Sequence, residues 1–219
     1  MLETIDIETG PTPSTSIIVL HGLGADGNDF VPLAQELRLA PVGTVRFVFP
    51  HAPVMPVTIN GGYRMRAWYD IFGADLRQRQ DETGLRCSLA LVEEIIAREK
   101  ERGTPAQRIV VAGFSQGCAM ALLTGLRHRE RLAGIVGLSG YLPLAHTTVS
   151  ERSDANVLTP IFMAHGRQDG VVPISAGEAS RDALRAFGYD VAWHDYAMEH
   201  AVCPQEIQDL NAWLLRVLG

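Results

Sequence analysis

"RIVVAGFSQGCAMALL", residues 108–123, decides how the rest of this sequence is interpreted. A run of β-branched residues leads into a helix-forming segment, and Ser115 stands between them with glycine two positions before and two after. A serine at a sharp strand-to-helix turn has a strained backbone, and side chains at the two glycine positions would collide with the turn. The stretch therefore predicts an exposed nucleophile at the amino end of a helix, where unbonded N–H groups favour negative charge.

The rest of the chain alternates short apolar runs with longer amphipathic stretches. Asn28 or Asp29 is expected to cap the first helix, and Pro204 to open the last. This alternation predicts an α/β fold, a mainly parallel central sheet with helices on both faces, and the 219 residues fit one domain over 1–219. We expect strands at residues 16–22, 45–50, 108–114, 133–140, 160–166 and 190–196, and helices at residues 27–37, 85–103, 116–126, 176–188 and 204–218.

Ligands of such sheets bind beyond the carboxyl ends of the strands, so the residues that follow each strand are the candidates for chemistry. A nucleophilic serine needs a base and an orienting carboxylate, which follow it along the chain as acid and then histidine in this kind of fold. Asp169 follows the predicted strand 160–166 and is the candidate acid. Asp154 lies in a polar loop and Asp190 begins a strand, which makes them weaker rivals.

The candidate base is His200, in the loop between the last predicted strand and the last helix. Its rival His194 lies within that strand, where alternation places it on a face of the sheet, below the rim at which Ser115 must emerge. Ser139 also follows a strand, but its second glycine has the wrong spacing and no helix begins there. We expect Ser139 to line the site or to cap a turn.

The glycine-rich segment "HGLGADGNDF", residues 21–30, follows the first predicted strand. A loop at this position supplies one backbone N–H for a developing oxyanion, and the residue after the nucleophile supplies the other. Leu23 and Gln116 are the matching donors, and His21 is expected to hold the loop by hydrogen bonds. A phosphate-binding loop is the alternative, but the segment has neither G-x-G-x-x-G nor a Lys-Ser/Thr pair.

Composition excludes several partners. The net charge is −6 and there is no stripe of basic residues, so we expect no nucleic-acid partner and no anionic membrane surface. The arginines of "DLRQRQ", residues 75–80, are expected on a surface turn. The three cysteines lack metal-ligand spacing and are expected to be reduced thiols, and we expect no bound metal. With no signal peptide and no apolar run of ~18 residues, the sequence indicates a cytoplasmic protein without stable membrane insertion.

Six blocks in order resemble the phospholipase/carboxylesterase family over residues 5–218: "LHGLGADGNDF", "FPHAPVMPVTINGGYRMRAWYDI", "GFSQGCAMAL", "GLSGYLP", "HGRQDGVVP" and "MEH". The resemblance implies an α/β-hydrolase fold without a large cap domain, no cofactor, and hydrolysis of esters or thioesters through an acyl-enzyme. It implies that Ser115, Asp169 and His200 are the catalytic residues, and that two copies pair weakly as a homodimer. The block at 56–71 favours the bacterial carboxylesterases within the family.

Glu199 departs from the family pattern, which usually has a small residue before the catalytic histidine. Its carboxylate would either raise the pKa of His200 or point into solvent. The Pro-containing segment 53–73 is expected to overhang the site, and the walls of the acyl pocket are expected to be Leu23, Trp68, Phe72 and Val172.

A serine carboxylesterase for short- to medium-chain esters is the function that this sequence favours. One alternative is an acyl-protein thioesterase or lysophospholipase that acts on long acyl chains. The other is a non-catalytic binding protein on the same fold. In the two enzymatic cases the partner is a small ester or thioester substrate.

Overall fold

A computed structural model describes residues 1–73 and 79–219. Its strands are β1 (Thr4–Glu8), β2 (Thr15–Leu20), β3 (Val45–Pro50), β4 (Val54–Val57), β5 (Tyr63–Arg66), β6 (Ile109–Phe114), β7 (Gly134–Leu138), β8 (Ile161–Gly166) and β9 (Val191–Tyr196). Its helices are α1 (Val31–Glu36), α2 (Glu82–Glu101), α3 (Gln116–Arg127), α4 (Thr148–Glu151), α5 (Ile174–Ala186) and α6 (Pro204–Leu218). The surface turn predicted at residues 75–80 lies outside the described residues except for its last two positions.

Seven of these strands form one sheet in the order β1-β3-β2-β6-β7-β8-β9. All neighbouring pairs from β3 to β9 are parallel, which confirms the predicted mainly parallel α/β sheet. Two features were not predicted. Strand β1 runs antiparallel to β3, with Thr4 opposite Pro50. Strands β4 and β5 form a separate antiparallel hairpin, with Val54 opposite Arg66, inside the segment expected to overhang the site.

Both faces of the sheet are covered by helices, because side chains alternate between the faces along each strand. In β2, Ile18 and Leu20 belong to the core beneath α2, α3 and α5, whereas Ile17 and Val19 belong to the core beneath α1 and α6. The predicted two-sided covering is confirmed. Over the described ranges, no helix combines the length and the hydropathy that crossing a membrane requires.

The first predicted helix is divided and is capped by a different residue. A 3₁₀ turn, Gly27–Phe30, precedes α1, and its N-cap is Asp26 rather than Asn28 or Asp29. The Asn28 amide donates to Asp26 Oδ1 at 2.7 Å, and the Asp26 amide donates to Asp29 Oδ2 at 2.7 Å. This reciprocal capping box satisfies two amides that the turn itself cannot bond. Asp29, the third residue of the turn, therefore contributes to the cap through its side chain.

Helix α3 approaches the centre of the sheet so closely that only glycine fits at two positions. A Cβ on Gly113 would overlap the carbonyl of Gly117, and a Cβ on Gly117 would overlap the carbonyl of Leu20 in β2. The obstructing atoms belong to the backbone of β2 and α3 and cannot turn away. The steric role inferred for both glycines from the sequence agrees with these contacts.

We predict that Gly117→Ala lowers the free energy of unfolding by about 3 kcal/mol or more, or prevents soluble expression, because the added methyl must displace the central strand. Gly170→Ala is the matched control, since a Cβ there has no heavy atom within 4 Å. Urea unfolding of the two variants gives the comparison. Equal stability of both would contradict the close approach.

Candidate active site

The backbone of Ser115 has a conformation that non-glycine residues rarely adopt. Its φ is 56° and its ψ −117°, at the junction of β6 and α3. The Ser115 amide donates to the Leu138 carbonyl at 2.8 Å, and the Ser115 carbonyl accepts the Cys118 amide at 3.0 Å. These bonds hold the turn between strand β7 and the first turn of α3, so the hydroxyl stands at the carboxyl edge of the sheet.

Three side chains from separate loops meet at this hydroxyl. Ser115 Oγ donates to His200 Nε2 at 2.9 Å, and His200 Nδ1 donates to Asp169 Oδ2 at 2.7 Å. The loops that carry them follow β6, β8 and β9, whose carboxyl ends lie at one edge of the parallel sheet. The structure thus brings together the three residues that the sequence singled out, in the arrangement by which a histidine activates a serine.

The Asp169 carboxylate is held by backbone amides of its own loop. Asp169 Oδ1 accepts from the amides of Val171 and Val172, each at 2.8 Å, and the side chain is fully buried. A second imidazole, His165, donates from Nε2 to the Val172 carbonyl at 2.8 Å and lies 3.4 Å from Asp169 Oδ2. Burial lowers the pKa of His165, which keeps this ring neutral beside the carboxylate.

His165 is a residue of the site that the sequence reasoning missed. It occupies the penultimate position of β8, where the pattern indicates an interior strand residue. Its place four residues before Asp169 was the available signal. The strand pattern alone does not show that the His165 ring faces the loop that carries Asp169.

The two candidate oxyanion donors, Leu23 and Gln116, line the cavity beside Ser115. Gln116 is the first residue of α3, so its N–H is among those that no carbonyl within the helix can accept. Leu23 lies in the loop after β2 and lines the same cavity as Ser115. The backbone positions of both residues fit the role that the sequence suggested.

His21 fastens the loop that carries Leu23. Its Nδ1–H donates to the Gly22 carbonyl at 2.7 Å, and its Nε2 accepts the Ala52 amide at 3.0 Å. The indole Nε1 of Trp68 donates to the His21 carbonyl at 2.9 Å. Burial lowers the pKa of His21, so the ring stays neutral and its Nε2 remains an acceptor. The loop is therefore held from three directions.

The Gln116 side chain joins the turn between β6 and α3 to the segment after β5. Its Oε1 accepts the Trp68 amide at 2.8 Å, and its Nε2 donates to the Tyr69 carbonyl at 2.7 Å. These bonds satisfy both ends of a buried amide side chain, which would otherwise be costly to bury. Residues 68 and 69 are thereby fixed against the first turn of α3.

A cavity of about 270 Å³ opens beside Ser115. Leu23 and Val172 line it, as the sequence suggested for the acyl pocket. Trp68 and Phe72 are not among its described walls: Trp68 is 1% exposed and packs on His21, while the Phe72 ring is covered by the Arg79 guanidinium at 4.3 Å. The other described residues that line the cavity come from segments distant in sequence. They are Ile59, Asn60, Tyr69, Ile71, Gly73, Gln116, Tyr141 and Val171.

The remaining candidates lie away from the reacting hydroxyl or make no contact with it. His194 packs on the face of the sheet, with its ring stacked 5.0 Å from that of Phe162, as its place in the strand predicted. Asp190 precedes β9, at the opposite edge of the sheet. Ser139 is buried with φ 48°, and its Oγ has no hydrogen-bond partner among the described residues. The Glu199 side chain is exposed, which fits the solvent-facing alternative.

Comparison with known proteins agrees with this fold. The model of the phospholipase/carboxylesterase family matches residues 3–218. The acyl-protein thioesterase 1 of Yarrowia lipolytica is 42% identical over 206 residues, which cover 92% of this chain and 91% of that protein. The crystal structure of Zea mays acyl-protein thioesterase 2 superimposes with a TM-score of 0.86 at 31% identity and covers 100% of both chains.

The structure of Arabidopsis thaliana SOBER1 superimposes with a TM-score of 0.89 at 30% identity, over 94% of this chain and 99% of that one. These matches span almost the whole chain and carry the same mainly parallel sheet. The chain therefore belongs to the phospholipase/carboxylesterase family of α/β-hydrolases.

Glu206, in the first turn of α6, lies just beyond the loop that carries His200. Its side chain is fully buried, and no described side chain forms a hydrogen bond with either carboxyl oxygen. Burial raises the pKa of Glu206 to about 8 from 4.5. The folded chain therefore holds this proton more tightly than the unfolded chain does.

We predict that the wild-type free energy of unfolding falls relative to that of Glu206→Gln as the pH rises from about 4.5 to about 8. Over this window unfolding releases a proton that the folded state keeps, so a rising pH favours the unfolded state until the folded carboxyl itself titrates near pH 8. Urea unfolding at several pH values measures the difference. Glu36→Gln, on an exposed position of α1, is the control. A difference for Glu206→Gln that does not change with pH would contradict the prediction.

Proposed function

We propose that this chain is a serine hydrolase that cleaves acyl thioesters and esters through a covalent acyl-enzyme on Ser115. The observation that carries the proposal is the continuous pair of hydrogen bonds from Ser115 through His200 to Asp169, at 2.9 Å and 2.7 Å. A serine hydroxyl is a weak nucleophile until an adjacent base accepts its proton.

Acylation begins when Ser115 Oγ attacks the carbonyl carbon of the substrate and its proton passes to His200 Nε2. The negative charge moves to the carbonyl oxygen, which accepts hydrogen bonds from the amides of Leu23 and Gln116. Asp169 stabilises the imidazolium and keeps its Nδ1–H in place. The bond to the leaving sulfur or oxygen then breaks, and His200 returns the proton to that atom.

Deacylation repeats these steps with water. His200 Nε2 takes a proton from the water as its oxygen attacks the acyl carbon, and the same two amides bind the oxyanion. When the tetrahedral intermediate collapses, the proton on His200 passes to Ser115 Oγ and the carboxylic acid leaves. Acylation and deacylation together require only groups of this chain and a water molecule.

The leaving group that we propose is a thiol, with protein-borne acyl thioesters as the favoured substrates. The relatives named acyl-protein thioesterase 1 are 42% and 40% identical to this chain and are covered over most of their length. They support the thioesterase alternative more strongly than the short- to medium-chain carboxylesterase that the sequence alone favoured. They also do not favour the bacterial carboxylesterases, to which the sequence alone pointed within the family. The carboxylesterase remains a second candidate because a cavity of about 270 Å³ is small for a long acyl chain.

A matched substrate series separates the two enzymatic candidates. We expect the ratio of kcat/KM for an acyl-peptide thioester to that for the oxygen ester of the same acyl group to exceed ten when intrinsic hydrolysis rates are taken into account. Extending the acyl chain in both series tests the length preference. A higher kcat/KM for the oxygen ester than for the thioester at every chain length, with the highest values for short acyl chains, would favour the carboxylesterase.

We predict that His200→Ala lowers kcat by about 10³-fold or more, as expected when the base of such a triad is lost. His194→Ala is the matched control, because this ring packs on Phe162 at the face of the sheet. It should change kcat by less than about tenfold, with any larger effect seen as lost stability. The reverse pattern would show that His194 is the base.

A fluorophosphonate probe distinguishes an enzyme from a binding protein on the same fold. We predict labelling of the wild-type chain at Ser115 and none of Ser115→Ala, in which the hydroxyl is lost without opening a core cavity. Thermal unfolding checks that the variant is folded. A folded wild-type chain that neither reacts with the probe nor turns over any ester would favour the binding protein.

A further inference from the structure

Two tyrosine hydroxyls are buried in the wall of an otherwise largely apolar cavity. Tyr69 and Tyr141 are 2% and 5% exposed, and both line the space beside Ser115. Their hydroxyl oxygens are 2.9 Å apart, so one donates a hydrogen bond to the other. Neither side chain has another hydrogen bond to any described residue.

One of the two hydroxyl protons of Tyr69 and Tyr141 is not used in the hydrogen bond between them. Two hydroxyls carry two O–H groups, and the bond between them occupies only one. Burial is the main cause that raises the pKa of Tyr141 to about 12 and the pKa of Tyr69 well above its usual value, so both oxygens keep their protons at neutral pH. A buried donor without an acceptor is costly. No described residue accepts the remaining O–H, so a molecule that fills the cavity can supply the acceptor.

The position of the pair is fixed relative to the nucleophile. The Tyr69 carbonyl accepts from Gln116 Nε2, on the residue after Ser115. Gly140, next to Tyr141, packs so closely on Cys118 in the first turn of α3 that a Cβ there would collide with it. Both tyrosines are thus tied to the helical turn that begins at Ser115, and both line the cavity that opens beside its hydroxyl.

We propose that the hydroxyls of Tyr69 and Tyr141 form a polar subsite that selects acyl groups carrying a hydrogen-bond acceptor oxygen along the chain. An ether, keto or hydroxyl oxygen at the matching position accepts the unused O–H. A plain alkyl chain of equal length displaces the water that would otherwise accept this hydrogen bond and leaves the donor unpaired. The inference rests on the proposed function, because it concerns the acyl group of the same reaction.

The test uses p-nitrophenyl esters in pairs that have equal chain length, in which one methylene of the plain chain is replaced by an ether oxygen. The oxygen is moved along the chain from one pair to the next. In the wild type, we expect the ratio of kcat/KM for the ether ester to that for the plain ester to peak at one position. The peak should exceed the neighbouring positions by about fivefold, the size of effect expected of one neutral hydrogen bond.

Replacing both hydroxyls should remove that peak. In the double variant Tyr69→Phe/Tyr141→Phe the rings remain and the ratio should become independent of the oxygen's position. A purely structural role of the tyrosines would alter both members of a pair alike and leave the ratio unchanged. Tyr189→Phe is the control, because Tyr189 is buried outside the described lining of this cavity and should keep the wild-type profile.

The outcomes separate this inference from the proposed function. Turnover of both esters with no peak in the wild type, or with a peak that survives in the double variant, would overturn the polar subsite alone. Absence of turnover for every ester, together with no fluorophosphonate labelling of Ser115, would overturn the proposed function.

Discussion

The backbone of Ser115 is the constraint on which the other parts of the site depend. A non-glycine residue with positive φ costs on the order of 1–3 kcal/mol, and the surrounding contacts must offset that cost. The offset comes from the burial of α3 against the sheet and from the hydrogen bond between the Ser115 amide and the Leu138 carbonyl. Gly113 and Gly117 let the helix come close enough for this packing. A larger residue at either position would move the serine away from its partners.

The surrounding loops are held by neutral groups whose hydrogen-bonding atoms face fixed partners. His21 holds the loop of Leu23, His165 holds the loop of Asp169, and the Gln116 amide holds residues 68 and 69. Burial lowers the pKa of both histidines, so they act as fixed hydrogen-bonding groups rather than as charges near the nucleophile. Groups already fixed before the substrate binds do not have to reorganise during the reaction.

Local patterns in the sequence were sufficient to predict the parallel sheet, the covering helices and the order of the serine, acid and histidine. Apolar runs such as residues 160–166 form buried strands wherever both faces are covered, so this signal is strong. Strand β1 was missed because its five residues, "TIDIE", include only two apolar side chains and lie partly exposed at the edge of the sheet. The β4–β5 hairpin was missed because Pro56 interrupts its first strand and argues against one.

The walls of the cavity could be predicted only in part. Leu23 and Val172 follow strands and were found by their positions, whereas Tyr141 reaches the cavity through the packing of a loop on α3. Trp68 was predicted to line the wall because it lies in the segment 53–73, which was expected to overhang the site. Its indole N–H instead bonds the His21 carbonyl. Such pairings join residues distant in sequence, and no local spacing indicates them.

The central claim is that Ser115 becomes acylated, and rapid quenching followed by mass spectrometry tests it most directly. The wild-type chain is mixed with a p-nitrophenyl ester and quenched in acid within the first turnover. Peptide analysis should then show the mass of the acyl group on the peptide that contains Ser115, formed together with a burst of p-nitrophenol. Turnover without an adduct at any quench time, or an adduct on a different residue, would contradict the account.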